Sequence, residues 1–187
     1  MNRFKKWAEH KYSKRQRMIT VVFGGFIFWI VIPFFISIGS FYIDQWLRLP
    51  KFHYGRINPL TGLLGMIIGW LFANWTVKVQ FSMGKGTPIP LMATQKLVIK
   101  GPYTYCRNPM TLGTTIFYLG FAIWKGSLSA MGLGMIYPVG ILIYIKLLEE
   151  KELAERFGSE YLEYKRDTPF LIPRFIKRSL RGNPGKE

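Results

Sequence analysis

Two short stretches carry the residue types that small-molecule chemistry needs. Leu97 to Met110 reads LVIKGPYTYCRNPM and gathers Lys100, Arg107, three hydroxyls and two proline turns between apolar runs. The residue before a proline is pushed out of the α region, so Gly101-Pro102 and Asn108-Pro109 describe a shaped loop rather than a linker. About forty residues later an apolar run ends in KLLEEKELAERFG, which puts Glu149 and Glu150 at a membrane edge. Two adjacent carboxylates there are costly unless a cation joins them. No His or Cys accompanies them, so an organic cation fits better than a metal, and no metal site is expected. Arg107 offers a fixed fork for a carboxylate or phosphate. A ligand with both an ammonium and a carboxylate would satisfy both walls. The plainer alternative is an acidic helix start paired with Lys151 and Arg156, with Arg107 as a surface anchor.

The elements that must hold these walls are apolar helices. Of the 187 residues, 49% are hydrophobic, and they cluster into long uncharged runs, which points to an integral membrane protein of one domain. Met18–Ile38 and Ile57–Val77 are long enough to cross a bilayer as helices. Residues 110–124 form a shorter run, only about 22 Å as a helix, which starts earlier at the Asn-Pro or dips in from one side. Residues 128–148 form a fourth run after the turn Lys125-Gly126-Ser127. The expected fold is therefore all-α and membrane-integral, with about four spans. Gly65 and Gly69 form a small-xxx-small pair suited to close helix contact, and such faces permit a homo-oligomer. Asn74 is a candidate for a cavity wall or a helix-to-helix hydrogen bond. After the glutamates, Leu148, Phe157, Tyr161 and Tyr164 recur at roughly helical spacing, Gly158 interrupts, and Pro169 and Pro173 end helical structure.

Charge placement explains the formal +16 without nucleic acid. Twenty of the twenty-six Lys and Arg fall in residues 1–17, the connection after the second span, and the tail. Arg48, Lys51, Arg56 and Lys125 fall on the other side. The positive-inside rule then places both termini and the two walls in the cytoplasm, and the basic arm and tail contact membrane lipids. The lone Cys106 excludes an internal disulfide and agrees with a reducing face. It is expected to be a bystander thiol, as His53 is a surface histidine. GKGT at 84–87 lacks the upstream glycine and strand of a phosphate loop. No cleavable signal peptide is visible.

The order LVIKGPYTYCRNPM, an apolar hairpin, EEKELAERFGSEYLEY and TPFLIP resembles the isoprenylcysteine carboxyl methyltransferases and their phospholipid methyltransferase relatives. GTPIP, just upstream, resembles a bacterial branch of that superfamily. The likeness covers about residues 84–173. It implies a methyltransferase using S-adenosylmethionine, bound at the cytoplasmic helix ends by segments 84–109 and 149–173 and closed over by the C-terminal helix and tail. Leu97, Val98, Gly101 and Tyr103 would line the cofactor site with Asn108 and Pro109. Glu149 and Glu150 would hold the amino group, Glu150 foremost. Arg107 and Asn108 would serve catalysis, Arg107 by orienting the cofactor carboxylate or the acceptor. Many relatives have His where this chain has Asn108, and Tyr where it has Thr111. Asn cannot act as a base near neutral pH. The implied acceptor is hydrophobic or lipid-like, with an isoprenylcysteine-type carboxylate among the options, in a bacterial inner membrane. The alternatives are an NADPH-dependent reductase of sterol-reductase-like architecture and a non-catalytic membrane partner protein.

Overall fold

A computed structural model describes residues 12–84 and 94–173. The expected basic arm before residue 12, most of the GKGT-to-GTPIP loop, and the basic tail from 174 lie outside the described residues. Within them the chain is helical, without a strand. Helix α1 spans Lys14–Trp46 and α2 spans Ile57–Gly84. Helix α3 is Pro109–Lys125, and α4 is Leu128–Tyr144. A π-helical turn, Ile145–Glu149, leads from α4 into α5, Glu150–Asp167. Three continuous helical stretches are long and apolar enough to cross a membrane: α1, α2, and the α4–α5 rod. The apolar part of that rod ends at Leu148, so both glutamates lie beyond it. The protein is an integral membrane protein by this measure.

Helix α1 starts inside the expected arm, where Ser13 caps it and exchanges hydrogen bonds with Gln16. It runs on to Trp46 rather than stopping at Ile38, because residues 39–46 keep an uninterrupted helical backbone with no Gly-Pro or Asn-Pro signal. A π-helical turn at Ile27–Val31 precedes Pro33, which lacks the donor a regular helix would use. Helix α3 begins at Pro109, a proline in the first turn with its preset φ. Its 17 residues span about 25 Å.

Helices α2 and α3 form the closest pair. A Cβ on Gly69 would stand 2.5 Å from the Gly113 carbonyl oxygen, and one on Gly62 would stand 2.5 Å from Trp124 nitrogen. Gly65 faces Gly120 across the same seam. Without a hydrophobic drive between helices in lipid, backbone-to-backbone approach of this kind supplies the packing. This seam is spent within the chain, so an oligomer would have to use another face. Tyr118, Ile36, Ala122 and Ala130 make the buried core between α1, α3 and α4. Phe23, Leu60 and Ile136 point outward, as a lipid-facing surface requires. Asn74 bonds the Trp70 carbonyl of its own helix at 2.8 Å, not a cavity or a neighbour.

The two ends of the bundle differ. At one end lies the α3–α4 turn, where Gly126 at φ +61° lets its carbonyl accept from Phe52 N at 3.1 Å and Lys125 Nζ donates to Ser37 Oγ at 2.6 Å. Asn58 ties Phe52 and Ile123 carbonyls together there, at 2.9 and 3.2 Å. Ser129 donates to Asp44 and, at 3.1 Å, to the Ser40 carbonyl. At the opposite end Arg17 donates to the Phe81 carbonyl and lies over the Phe81 ring. That second end holds both sequence walls.

Candidate active site

The loop before α3 is shaped by its two prolines. Gly101 adopts φ +63° and starts a 3-10 turn, Gly101–Thr104, closed by Thr104 Oγ1 donating to the Gly101 carbonyl at 2.7 Å. The turn returns the chain so that Tyr103 and Arg107 face the start of α5. Asn108, at φ −122° and ψ 56° and so outside the helical region, then launches α3.

A cavity of about 110 Å³ lies where this loop, α3, α4 and α5 meet. Of the residues expected at the site, Leu97, Val98, Tyr103, Arg107, Asn108, Pro109, Glu149 and Glu150 all line it. Gly101 does not. A Cβ there would meet Val79 at 3.1 Å, so the glycine serves the turn and its packing on α2 rather than the cavity wall.

The two glutamates have separate situations. Glu150 is buried, 4% exposed, and surrounded by cations. Arg107 Nη1 donates to it, Lys165 Nζ lies at 2.8 Å and Lys146 Nζ at 3.8 Å. Burial works against ionisation, but the hydrogen bonds from Lys165 and Arg107 and their charges prevail, so its carboxyl sits below the ordinary value. Glu149 is partly exposed and forms no hydrogen bond or salt bridge among the described residues. Burial in the cavity wall and the charge of Glu152 push its carboxyl up to about 7. Arg156, which opposes that rise, is engaged by Glu152 at 2.8 Å and by the Thr94 carbonyl. Glu149 is thus a carboxyl that lacks a cation, and Glu150 is one that has three.

Arg107 and Asn108 are also engaged. Arg107 Nε donates to the Thr168 carbonyl at 3.1 Å, and its backbone N–H donates to the Pro169 carbonyl at 2.9 Å. Asn108 Nδ2 donates to the Phe170 carbonyl at 2.9 Å. The Phe170 ring lies 5.4 Å from the Arg107 guanidinium and 5.2 Å from Lys146 Nζ, both in cation–π range. These contacts strap residues 168–170 across the end of α3. The polar groups that the sequence put forward for catalysis therefore hold the strap and Glu150.

Three tyrosines complete the polar wall. Tyr103 donates to Gln80 Oε1, and Tyr164 donates to the Tyr103 carbonyl at 2.8 Å. Burial holds the phenols of Tyr103, Tyr161 and Tyr164 above their usual range, so they stay neutral donors. Tyr161 and Tyr164 are reached by the α5 backbone turning at Gly158, whose φ is +54°. Cys106 is fully buried, and burial pushes its thiol up to about 11, which makes it an inert neighbour. Among the described residues no cluster of three or more His, Cys, Asp or Glu is arranged to hold a metal ion.

Sequence reading missed the part of the cavity deeper among the helices. Phe28, Met110, Thr111, Thr114, Tyr137 and Ile141 line it. They come from three separate apolar helices, and apart from Thr111, which stands where many relatives have Tyr, nothing local marks them out. Lys146 was detectable, since it stands four residues before Glu150 on one helical face.

Fold and cavity together define a helical membrane protein with a cavity lined by polar and apolar side chains at one end of its bundle. The family model described as phospholipid methyltransferase matches residues 57–160, more than half of the chain, so the chain belongs to that family. Among curated proteins it is similar to a methanethiol S-methyltransferase of Pseudomonas deceptionensis, 34% identical over 89 residues, 46% of this chain and 29% of that protein. It is also similar to the cobalt-zinc-cadmium resistance protein CzcN of Cupriavidus metallidurans, 34% identical over 83 residues, 42% of this chain and 36% of that protein. The chain thus spans about a third of the length of these relatives.

Proposed function

We propose that the chain is an S-adenosylmethionine-dependent methyltransferase of the bacterial inner membrane, acting on a hydrophobic or lipid-like acceptor at the cytoplasmic face. The observation that carries this reading is Glu149, a carboxyl in the cavity wall that has no salt bridge among the described residues and that burial and the neighbouring Glu152 push up to about 7. The donor set fits the group: S-adenosylmethionine carries an ammonium, and Glu149 is the wall residue without one. Glu150, foremost in the sequence reading, instead acts through Arg107, Lys146 and Lys165, which it holds in place.

When bound, S-adenosylmethionine supplies an electrophilic sulfonium methyl, and transfer leaves the electron pair of the broken C–S bond on the departing thioether sulfur. The chain's own contribution is binding, alignment and exclusion of water. Glu149 takes the ammonium. The strap at residues 168–170, held by Arg107 and Asn108, covers the site. The neutral phenol of Tyr161, which accepts from Arg107 Nη1, supplies a donor at the polar end without adding charge, while Tyr164 holds the Tyr103 carbonyl.

The deciding experiment is calorimetric titration of S-adenosylhomocysteine into detergent-purified protein, with NADPH as the control nucleotide. Saturable binding is expected for the homocysteine compound and not for NADPH. Glu149→Gln should weaken it roughly 10- to 100-fold, the loss of one charge-assisted contact. NADPH binding in its place would transfer the chain to the reductase reading, and binding of neither would support a non-catalytic partner protein.

A further inference from the structure

Three arginine side chains are largely withdrawn from solvent among the described residues, and two of them show what this fold gives a guanidinium. Arg107, with its side chain 10% exposed, donates to Glu150 and to the Thr168 carbonyl. Arg156, 13% exposed, pairs with Glu152 at 2.8 Å and donates to the Thr94 carbonyl. Each has a carboxylate and a carbonyl. Arg17, a buried residue at 9% exposed, has the carbonyl alone, that of Phe81. It forms no salt bridge among the described residues. Its Nε is sealed from solvent without a partner, and its Nη1 makes no hydrogen bond there but is not sealed. The Phe81 ring covers one face, with its centre 4.1 Å from the guanidinium carbon. A guanidinium has several N–H donors to place, and a cation withdrawn from water without an anion is costly.

The described chain offers that cation no carboxylate. Between Glu9, outside the described residues, and Glu149 the sequence has one acidic residue, Asp44, and it lies at the opposite end of α1. On α5, Glu150 is spent on Arg107 and Lys165, and Glu152 on Arg156. Further cations gather instead. Lys14 stands three residues before Arg17 and Lys78 three before Phe81, spacings that share a helix face, and both are exposed. Met18, Ile19 and Val22 then follow along α1 with their apolar side chains exposed. Basic residues before Arg17 and lipid-facing ones after it give the order of a head group above its acyl chains. Neither Arg17 nor Phe81 lines the cavity.

We propose that Arg17, seated on Phe81, binds the phosphate of an anionic phospholipid at the α1–α2 end, as a resident lipid and not as a methyl acceptor. The phosphodiester oxygens take the donors that the chain leaves open, and the planar fork suits them better than a point charge does. Lys14 and Lys78 favour a head group without an amine, since no carboxylate stands there to receive an ammonium. By holding Arg17 against Phe81, the lipid fastens α1 to the π-helical turn Gln80–Gly84, whose first residue is on the cavity wall. Lipid binding at this place is independent of the chemistry in the cavity.

The test is native mass spectrometry of the full-length protein, stripped of lipid in detergent and offered dioleoyl phosphatidylglycerol, phosphatidylcholine or phosphatidylethanolamine. The wild type should prefer phosphatidylglycerol. Arg17→Gln should bind it about 10- to 100-fold more weakly, the loss of a charge-assisted contact. Arg17→Lys, which keeps the charge but not the fork, should fall between. Arg15→Gln should cost no more than about fivefold, the worth of one surface charge. Phosphatidylglycerol should also raise the melting temperature of the wild type and not that of Arg17→Gln. Equal affinity of the wild type for the three lipids would overturn the site without recourse to any variant. Equal losses from Arg15→Gln and from the Arg17 variants would do the same, by reducing the effect to surface charge. Full displacement of phosphatidylglycerol by millimolar inorganic phosphate would assign the guanidinium to a free anion. Glu9→Gln binding the lipid about tenfold or more tightly than the wild type would assign it to the arm's own carboxylate. Either result would overturn the lipid.

Discussion

At the scale of single residues, the glutamate pair shows how adjacency in sequence conceals a division of labour. Adjacent helical residues point about 100° apart, so Glu149 and Glu150 meet different surroundings. The sequence could say that a cation was needed, but not which carboxyl already had one, because Arg107 and Lys165 arrive from 43 and 15 residues away by folding. The consequence is a pH dependence. Without a cation, the Glu149 carboxyl sits at about 7 against an ordinary 4.5. A carboxyl raised in the fold favours the protonated native state, so its contribution to stability is lost as pH climbs from about 4.5 to about 7. Cofactor binding runs the other way, since the ammonium needs the ionised form. Affinity for S-adenosylhomocysteine should be level above about pH 7 and fall toward tenfold per pH unit below it, with one proton released on binding. Calorimetry at pH 6 in two buffers of different ionisation heat counts that proton. Glu149→Gln should abolish the release, whereas zero release by the wild type would remove Glu149 from the ammonium site.

At the scale of elements, Glu150 joins α5 to the loop before α3 and, through Arg107, to the strap. Removing one partner from a buried ion pair leaves the other desolvated and unpaired, at a cost of about 3–5 kcal/mol; here that partner is Arg107, while Lys146 and Lys165 stay largely in contact with solvent. Glu150→Gln should therefore melt well below the wild type even without cofactor. Glu149→Gln should melt level with it or above at pH 8, because it removes a carboxyl that the fold disfavours when charged. Thermal unfolding of both variants side by side checks the division, and equal melting points would refute it. The elements themselves were largely legible, because uncharged runs as long as a bilayer is thick have few other uses. Their ends were not. Helix α2 continues from the expected Val77 to Gly84 through a π-helical turn, and no residue near Val77 signals a stop. Gly65 and Gly69 announced a close contact, yet their mates Gly120 and Gly113 were hidden in a run too short to read confidently as a span.

At the scale of the whole molecule, the arrangement of ends decides orientation. The α3–α4 turn meets the α1–α2 connection through Phe52, Gly126 and Asn58, so α3 reaches the same level as its longer neighbours despite its 17 residues. Arg17, Phe81, Arg107 and Glu150 then share the opposite end, where the basic residues gather. Because the positive-inside rule counts Lys and Arg near span ends, we propose that this end faces the cytoplasm, where a soluble cofactor would have access. The fold permits a direct test, since the native thiol, Cys106, is fully buried and gives little background. His53 is exposed beside the Phe52 connection, and Glu163 is exposed on α5. His53→Cys should react with a membrane-impermeant maleimide on spheroplasts, in which the outer face of the inner membrane is reachable. Glu163→Cys should react only after the membrane is opened. The reverse pattern would place the cavity outside the cytoplasm, away from its methyl donor. Labelling of both on sealed spheroplasts would put His53 and Glu163 on one face, and the chain between them would then have to cross the membrane an even number of times, which α2 followed by an α3–α4 hairpin does not do.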